Sequence, residues 1–280
     1  DIVEVKDSPD YLWIMTYEYY VYRFDKATGK FTKMSKILKN NQFENFRFSK
    51  ILEAKNNEVW IKASNDVVYC FSDLQADKPV INVYEKKSAK YNPEHKYGFF
   101  KTDKKGNKWI AFSESLLKIN NKQTQSIVAA DKLNCTDLIE HYDGSIWVST
   151  LQGYVLQYID NKIIKYKVTG AGINNLLLTR EGKILATTTS GELLTIADNG
   201  DKISEHKISN EPLHSIYEDR NGLIWLEPHE YGVYKYNPKT NKAELLTQEK
   251  TINYLHGWVD YKVYEDNAGL LWVYMKGCGF

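Results

Sequence analysis

Seven points along the chain carry one short pattern in one register, and six of the seven are centred on tryptophan. The anchors are Trp13, Trp60, Trp109, Trp147, Leu185, Trp225 and Trp272. A turn residue sits three places before each: Asp10, Asn57, Gly106, Gly144, Gly182, Gly222 and Gly269. Neighbouring anchors lie between 38 and 49 residues apart, by subtraction of their numbers. Self-similarity at a period of roughly 40–50 residues marks a repeat architecture. It restricts the fold more than any single residue does, because a unit this small cannot cover both of its faces and must stack on its neighbours.

Within a unit the pattern is strand and turn. In unit four, 136–142 reads as a strand, Asp143-Gly144 as a hairpin turn and 145–150 as a second strand, with Ile146 and Val148 on one face and Trp147 on the other. Gln152-Gly153 breaks the run, 154–159 alternates again, Asp160-Asn161 turns, and 163–168 closes the unit. Apolar residues recur at a fixed distance past the anchors, on the third strand: Phe24, Phe71, Tyr158, Ile196 and Tyr236, with Ile119 one place short in unit three. Turn chemistry separates third from fourth strands at 25–30 and 237–242. No stretch has the period of a long amphipathic helix. Four antiparallel strands per period, repeated about seven times, predict an all-β chain, a β-propeller of four-stranded blades in which each anchor packs one blade on the next. The chain stops just after the second strand of unit seven. The expectation is therefore a seven-bladed type with its last blade truncated, one domain over 1–280, excised from a longer protein whose following residues complete that blade.

Composition narrows the partners. Thirty-seven basic against 36 acidic side chains leave a net charge of +1, so a nucleic-acid partner is not expected. Lys86-Lys87 and Lys104-Lys105 read as solvated turns. No apolar run approaches the roughly 20 residues needed to cross a bilayer. Cys70, Cys135 and Cys278 fall in three different units with no CxxC spacing, so no disulfide framework is implied.

The repeats resemble the two-component regulator propeller repeats of bacterial sensors. The likeness rests on Glu-Asp-x-x-Gly-x-x-Trp, an apolar residue, a short polar loop, and a Tyr-rich strand ending in Asp or Asn-Pro. Residues 217–242 carry it best, from Glu218-Asp219 through Gly222 and Trp225 to Asn237-Pro238, and 137–160 follow closely. Units one to three are degenerate, and unit five has Leu185 for Trp. Neighbouring families fit less well. Each anchor Trp is followed by Ile, Val or Leu and never by the Asp of a WD dipeptide. The Asp-box position five before the Trp holds Tyr142 and Arg220. The resemblance implies the periplasmic sensor half of a hybrid two-component histidine kinase, itself anchored in the inner membrane. It further implies a second propeller, downstream sensor domains, a homodimer in the full-length protein, and an oligosaccharide ligand. A protein-interaction scaffold and a streptogramin-lyase-like propeller enzyme are the alternatives.

Catalytic chemistry is not apparent. The six histidines form no HxH or HExxH, and neither a phosphate loop nor a GxSxG elbow is present, so no catalytic, metal or cofactor site is expected. His141 and His214 fall on first strands, where they can face a central channel. Asp7, Asp103, Asp219 and Asp266, just before the first turns, are expected to bond backbone N–H groups. A binding face is easier to place. Second-to-third-strand loops and blade-to-blade connections emerge together, and two of the former are unusually aromatic. The expected ligand contacts are Tyr17, Glu18, Tyr19 and Tyr20 after Trp13, His229, Glu230 and Tyr231 after Trp225, and Trp258, the one Trp off the anchor register. Rings for a pyranose face beside groups for its hydroxyls suit a sugar.

Overall fold

The computed structural model describes residues 2–16, 20–34, 48–63, 67–76, 78–84, 99–111, 115–120, 123–128, 134–228, 232–246, 261–266 and 268–275. Among these residues there are 26 β-strands and no α-helix. They form six antiparallel sheets of four strands in sequential order and one sheet of two. The strands of unit four are Cys135–Glu140, Ile146–Thr150, Tyr154–Ile159 and Lys162–Lys167, within two residues of the sequence reading at either end.

The recurring third-strand residue has a structural reason. In each sheet it pairs with the residue just before the anchor: Leu12 with Phe24, Val59 with Phe71, Ile146 with Tyr158, Ile184 with Ile196, and Ile224 with Tyr236. Unit three pairs Lys108 with Ile119, so its missing residue falls in the connection and leaves the register intact. A one-residue slip would turn the whole apolar face outward, which is why the spacing recurs.

The chain divides into two compact units, Asp1–Gly98 and Phe99–Phe280. In the first, Trp13, Val5 and Met15 pack against Val59, Ile61 and Phe71 of the next sheet, with the Trp13 and Phe71 rings 5.2 Å apart. Arg23 there donates to the carbonyls of Leu74 and Ala76 at 2.9 and 2.6 Å. In the second, Ile146 and Val148 join Trp109 and Leu116 of the preceding sheet, whereas Trp147 joins Ile173, Ile184 and Ala186 of the following one. Leu185 takes the tryptophan's place in unit five and packs on Leu213, Ile224 and Leu226. The first strands of units three to six approach one another in succession.

Two expectations need correction. Asp10 is not a turn residue: it lies inside the strand Ser8–Met15, and the turn falls at Lys6 and Asp7. Trp272 is not buried as the other anchors are. It is 47% exposed, because no further sheet covers its face among the described residues.

Candidate functional site

Where the first strand turns into the second in units three, six and seven, the Asp of the motif binds its own turn and its own anchor. Asp219 accepts the backbone N–H groups of Asn221 and Leu223 on Oδ1, at 2.9 and 3.0 Å, and the Trp225 indole N–H on Oδ2, at 2.8 Å. Asp103 does the same for Lys105, Asn107 and Trp109, and Asp266 for Ala268, Leu270 and Trp272. Burial opposes ionisation of Asp103, but the bonds from Trp109, Asn107 and Lys105 outweigh it and hold the carboxyl below its usual range. At Asp266 the Trp272 indole is the largest cause of the same shift. The expected bonds to backbone N–H groups are present, and the bond to the anchor indole adds to them. Asp7 departs from the pattern, and the buried Trp13 indole N–H has no hydrogen-bond partner among the described residues.

The Glu of the motif works between sheets. Glu140 accepts from Lys104 N at 3.1 Å, Glu218 from Arg180 N at 2.8 Å, and Glu265 from Arg220 N at 2.9 Å. Each binds the turn of the preceding unit. Unit five has Leu178 at this place, and the link is supplied from the other side, by Tyr142 Oη donating to Thr179 O at 3.0 Å. The sequence holds the signal for this lattice, a Glu directly before the turn, but a single chain read as a string does not say which neighbour the Glu meets.

The opposite end of the sheets is where ligand contacts are expected. A threonine closes the second-to-third connection in three units. Thr150 Oγ1 donates to Tyr154 O and accepts from Tyr154 N, both at 3.0 Å, and Thr188 Oγ1 accepts from Glu192 N. In unit one Thr16 takes this part with Tyr20. Tyr20 is 38% exposed, and the Lys33 ammonium lies 3.1 Å from its ring centroid, so one face of the ring is already occupied. Tyr17, Glu18, Tyr19, His229, Glu230, Tyr231 and Trp258 lie outside the described residues.

Units four and five show how this end is closed in their case. Gly153, at φ 74°, lies against the next connection so tightly that a Cβ would stand 2.3 Å from Thr169 O. Gly191, at φ 86°, would place one 2.1 Å from Ser209 O. Both positions exclude any side chain. Six residues after the anchor, where these glycines stand, units one and six carry Tyr19 and Tyr231.

Just inside this end the first strands bulge at equivalent places, at Ser49, Thr136, Asn174 and His214. A bulge re-aims its side chain. Thr136 Oγ1 reaches Ile173 O at 2.7 Å, and Asn174 Nδ2 reaches Leu213 O at 2.9 Å, each in the next sheet. Beside the bulge, Asp137 accepts from Leu176 N at 2.8 Å. Burial pushes its carboxyl up to about 6, against the bonds from Leu176, Leu138 and Asn175. None of this was foreseen, since a bulge has no marker in composition. Of the two histidines placed on first strands, His214 is there and exposed. His141 instead follows its strand and sits in the turn, packed toward Tyr142 and Trp147. Cys70 and Cys135 are buried in different sheets, and burial raises the Cys135 thiol to about 12; Cys278 lies outside the described residues. Among the described residues no cluster of His, Cys, Asp and Glu fits a metal.

Solved structures share this architecture. The WD40 β-propeller domain of Doa1 aligns with a TM-score of 0.61 at 10% identity, over 96% of this chain and 87% of that one. The fold is that of a β-propeller. Virginiamycin B lyase from Staphylococcus aureus, in a catalytically inactive form with quinupristin, aligns at 0.59 and 13% identity, over 84% of this chain and 90% of the lyase. The likeness expected from the repeats is also found. The "extracellular domain of the putative one component system" from B. thetaiotaomicron aligns at 0.51 and 16% identity, over 97% of this chain and 45% of that domain. This chain thus spans less than half the length of that extracellular domain. No family model matches the chain, and no curated protein is similar to it in sequence. No helix among the described residues is long and apolar enough to cross a membrane.

Proposed function

We propose that this propeller is a ligand-sensing segment of an extracytoplasmic sensor of the hybrid two-component kind, with no catalysis of its own. The ligand is an oligosaccharide, and the residues proposed to contact it are Tyr17, Glu18, Tyr19 and Tyr20 of the unit one loop, and His229, Glu230 and Tyr231 of the unit six loop with Trp258. The observation that carries the site is the glycine position. Units four and five close this face with Gly153 and Gly191, which admit no side chain, and at the same place units one and six carry Tyr19 and Tyr231. A tyrosine where packing elsewhere demands glycine supplies an aromatic ring of the kind a pyranose stacks on.

The Glu-Asp lattice supports the signalling part, since it is the physical content of the repeat motif that resembles two-component sensors. In this reading 1–280 is one propeller of seven-bladed type. It lies in the periplasm beside a second propeller, within a homodimeric membrane protein. Ligand favours one arrangement of that dimer, and the population shift reaches the histidine kinase.

A thermal-shift screen against neutral oligosaccharides tests the proposal, because a ligand of the native state alone raises apparent stability. One class of saccharide should raise the melting temperature. The variants Tyr19→Gly, Tyr231→Gly and Trp258→Ala should lose that response while melting as the parent does. A panel without a response, or variants that respond as the parent does, overturns it. Turnover of quinupristin by the chain would instead favour the lyase-type alternative, which the shared fold keeps in view.

A further inference from the structure

His141 stands where units one, three, six and seven carry Asp7, Asp103, Asp219 and Asp266. The anchor it would otherwise hold is served by another route. Trp147 Nε1 donates to Ser145 Oγ at 2.9 Å, and Ser145 Oγ donates to Asp143 Oδ1 at 2.6 Å. The imidazole is therefore spare, yet its side chain is only 9% exposed. Its two nitrogens face carboxylates from two sheets. Nδ1 lies 3.1 Å from Asp143 Oδ1 in its own turn, and Nε2 lies 3.5 Å from Asp198 Oδ1 in the third-to-fourth-strand turn of unit five. Neither contact is aligned as a hydrogen bond.

Two rings pack beside it. The Tyr142 ring lies 5.9 Å away and the Trp147 ring 6.5 Å away. Further charges stand around Tyr142: Lys104, 5.2 Å from its ring, Glu140, which is engaged by Lys104 N, and Arg180, Glu181 and Lys183 in the unit five turn whose Thr179 carbonyl accepts from Tyr142 Oη. A neutral imidazole has one N–H and one lone pair, so one of the two carboxylates must meet a lone pair. The imidazolium alone offers an N–H to both. Histidine changes charge between about pH 5 and 8.

We propose that His141 is a proton-operated clip between units four and five. With a proton taken from solvent it bridges Asp143 and Asp198; without it, that end of the interface loosens. The sign follows from where the bonds exist. The two bonds form together only in the folded chain and only with the proton on, so the added stability is present at acid pH and lost as pH rises. The inference rests on this geometry and is independent of the sensor reading.

The test is a cycle of His141→Gln and Asp198→Asn, in which the parent, both single variants and the double variant are melted across about pH 5 to 8. The parent should melt several degrees above His141→Gln at the acid end, and the gap should close at the alkaline end. Asp198→Asn should lose the same acid-end advantage and add nothing in the double variant. Raising salt to about 1 M should shrink the gap, since both carboxylates are partly exposed. Asp137 is common to all four proteins and cancels. A gap constant with pH, or an Asp198→Asn variant that keeps the parent's acid-end advantage, overturns the clip. If His141→Gln does not fold, Asp198→Asn decides alone, its side chain being 70% exposed.

Discussion

Asp219 holds Trp225 by its indole N–H at 2.8 Å while the same carboxylate ties down the turn between them. One side chain thus sets both the hairpin that starts the second strand and the buried anchor ring on that strand. Asp219→Ala leaves a buried indole N–H and two turn N–H groups without their acceptor, and should cost about 2–3 kcal/mol. The matching change Asp266→Ala, beside the exposed Trp272, should cost under about 1 kcal/mol. Denaturant unfolding of the two variants compares them directly. Equal losses would separate the lattice from core packing.

The anchors themselves should divide in the same way. Trp147 is fully buried, and Trp147→Ala should cost roughly 3–5 kcal/mol, as emptying a large aromatic site does. Trp272→Ala removes a half-exposed ring and should cost less than about 1 kcal/mol. A parent-like melt of Trp147→Ala would remove the inter-sheet role assigned to the anchor.

Glycines with the same backbone angle should not be equivalent. Gly144 has φ 84° and open space around its Cβ position, so Gly144→Ala should cost only the left-handed backbone, about 1–2 kcal/mol. Gly191 has φ 86° and a carbonyl 2.1 Å from that position, so Gly191→Ala must also displace the next connection and should cost about 3 kcal/mol or more. Comparable melting temperatures for the two would mean that the loop closure is soft.

Asp137 makes stability depend on pH. Burial raises its carboxyl from 3.8 to about 6, so the folded chain keeps a proton that the unfolded chain gives up. Its contribution is fully present below about 4 and is lost as pH rises through about 6. Asp137→Asn keeps an acceptor for Leu176 N and cannot ionise. It should flatten that slope and stabilise the protein above neutrality, by at most about 3 kcal/mol before solvent screening. Melts at acid and alkaline pH check it, and a variant that parallels the parent at every pH contradicts the account.

Much of this molecule is determined by its sequence alone. The anchor register, the strand alternation and the turn residues predict sheets of four strands with the last cut to two, and an apolar residue recurring on the third strands, because strand periodicity and turn chemistry are local. Trp147 and Ile146 fall on opposite faces for no reason beyond the period of two. What needed the tertiary structure was contact between units. Glu218 and Asp219 are neighbours in sequence, yet one grips the unit before and the other its own tryptophan. The bulges at Thr136 and Asn174, the buried carboxyl of Asp137, and the two carboxylates around His141 arise only when sheets meet. The same holds for Trp272, an anchor by motif but exposed in fact, since burial belongs to a residue's neighbours and not to the residue. Tyr19 and Tyr231 lie between these cases. Their aromatic character is plain in the sequence, but only the packing around Gly153 and Gly191 shows that units four and five have no room for a side chain at that position.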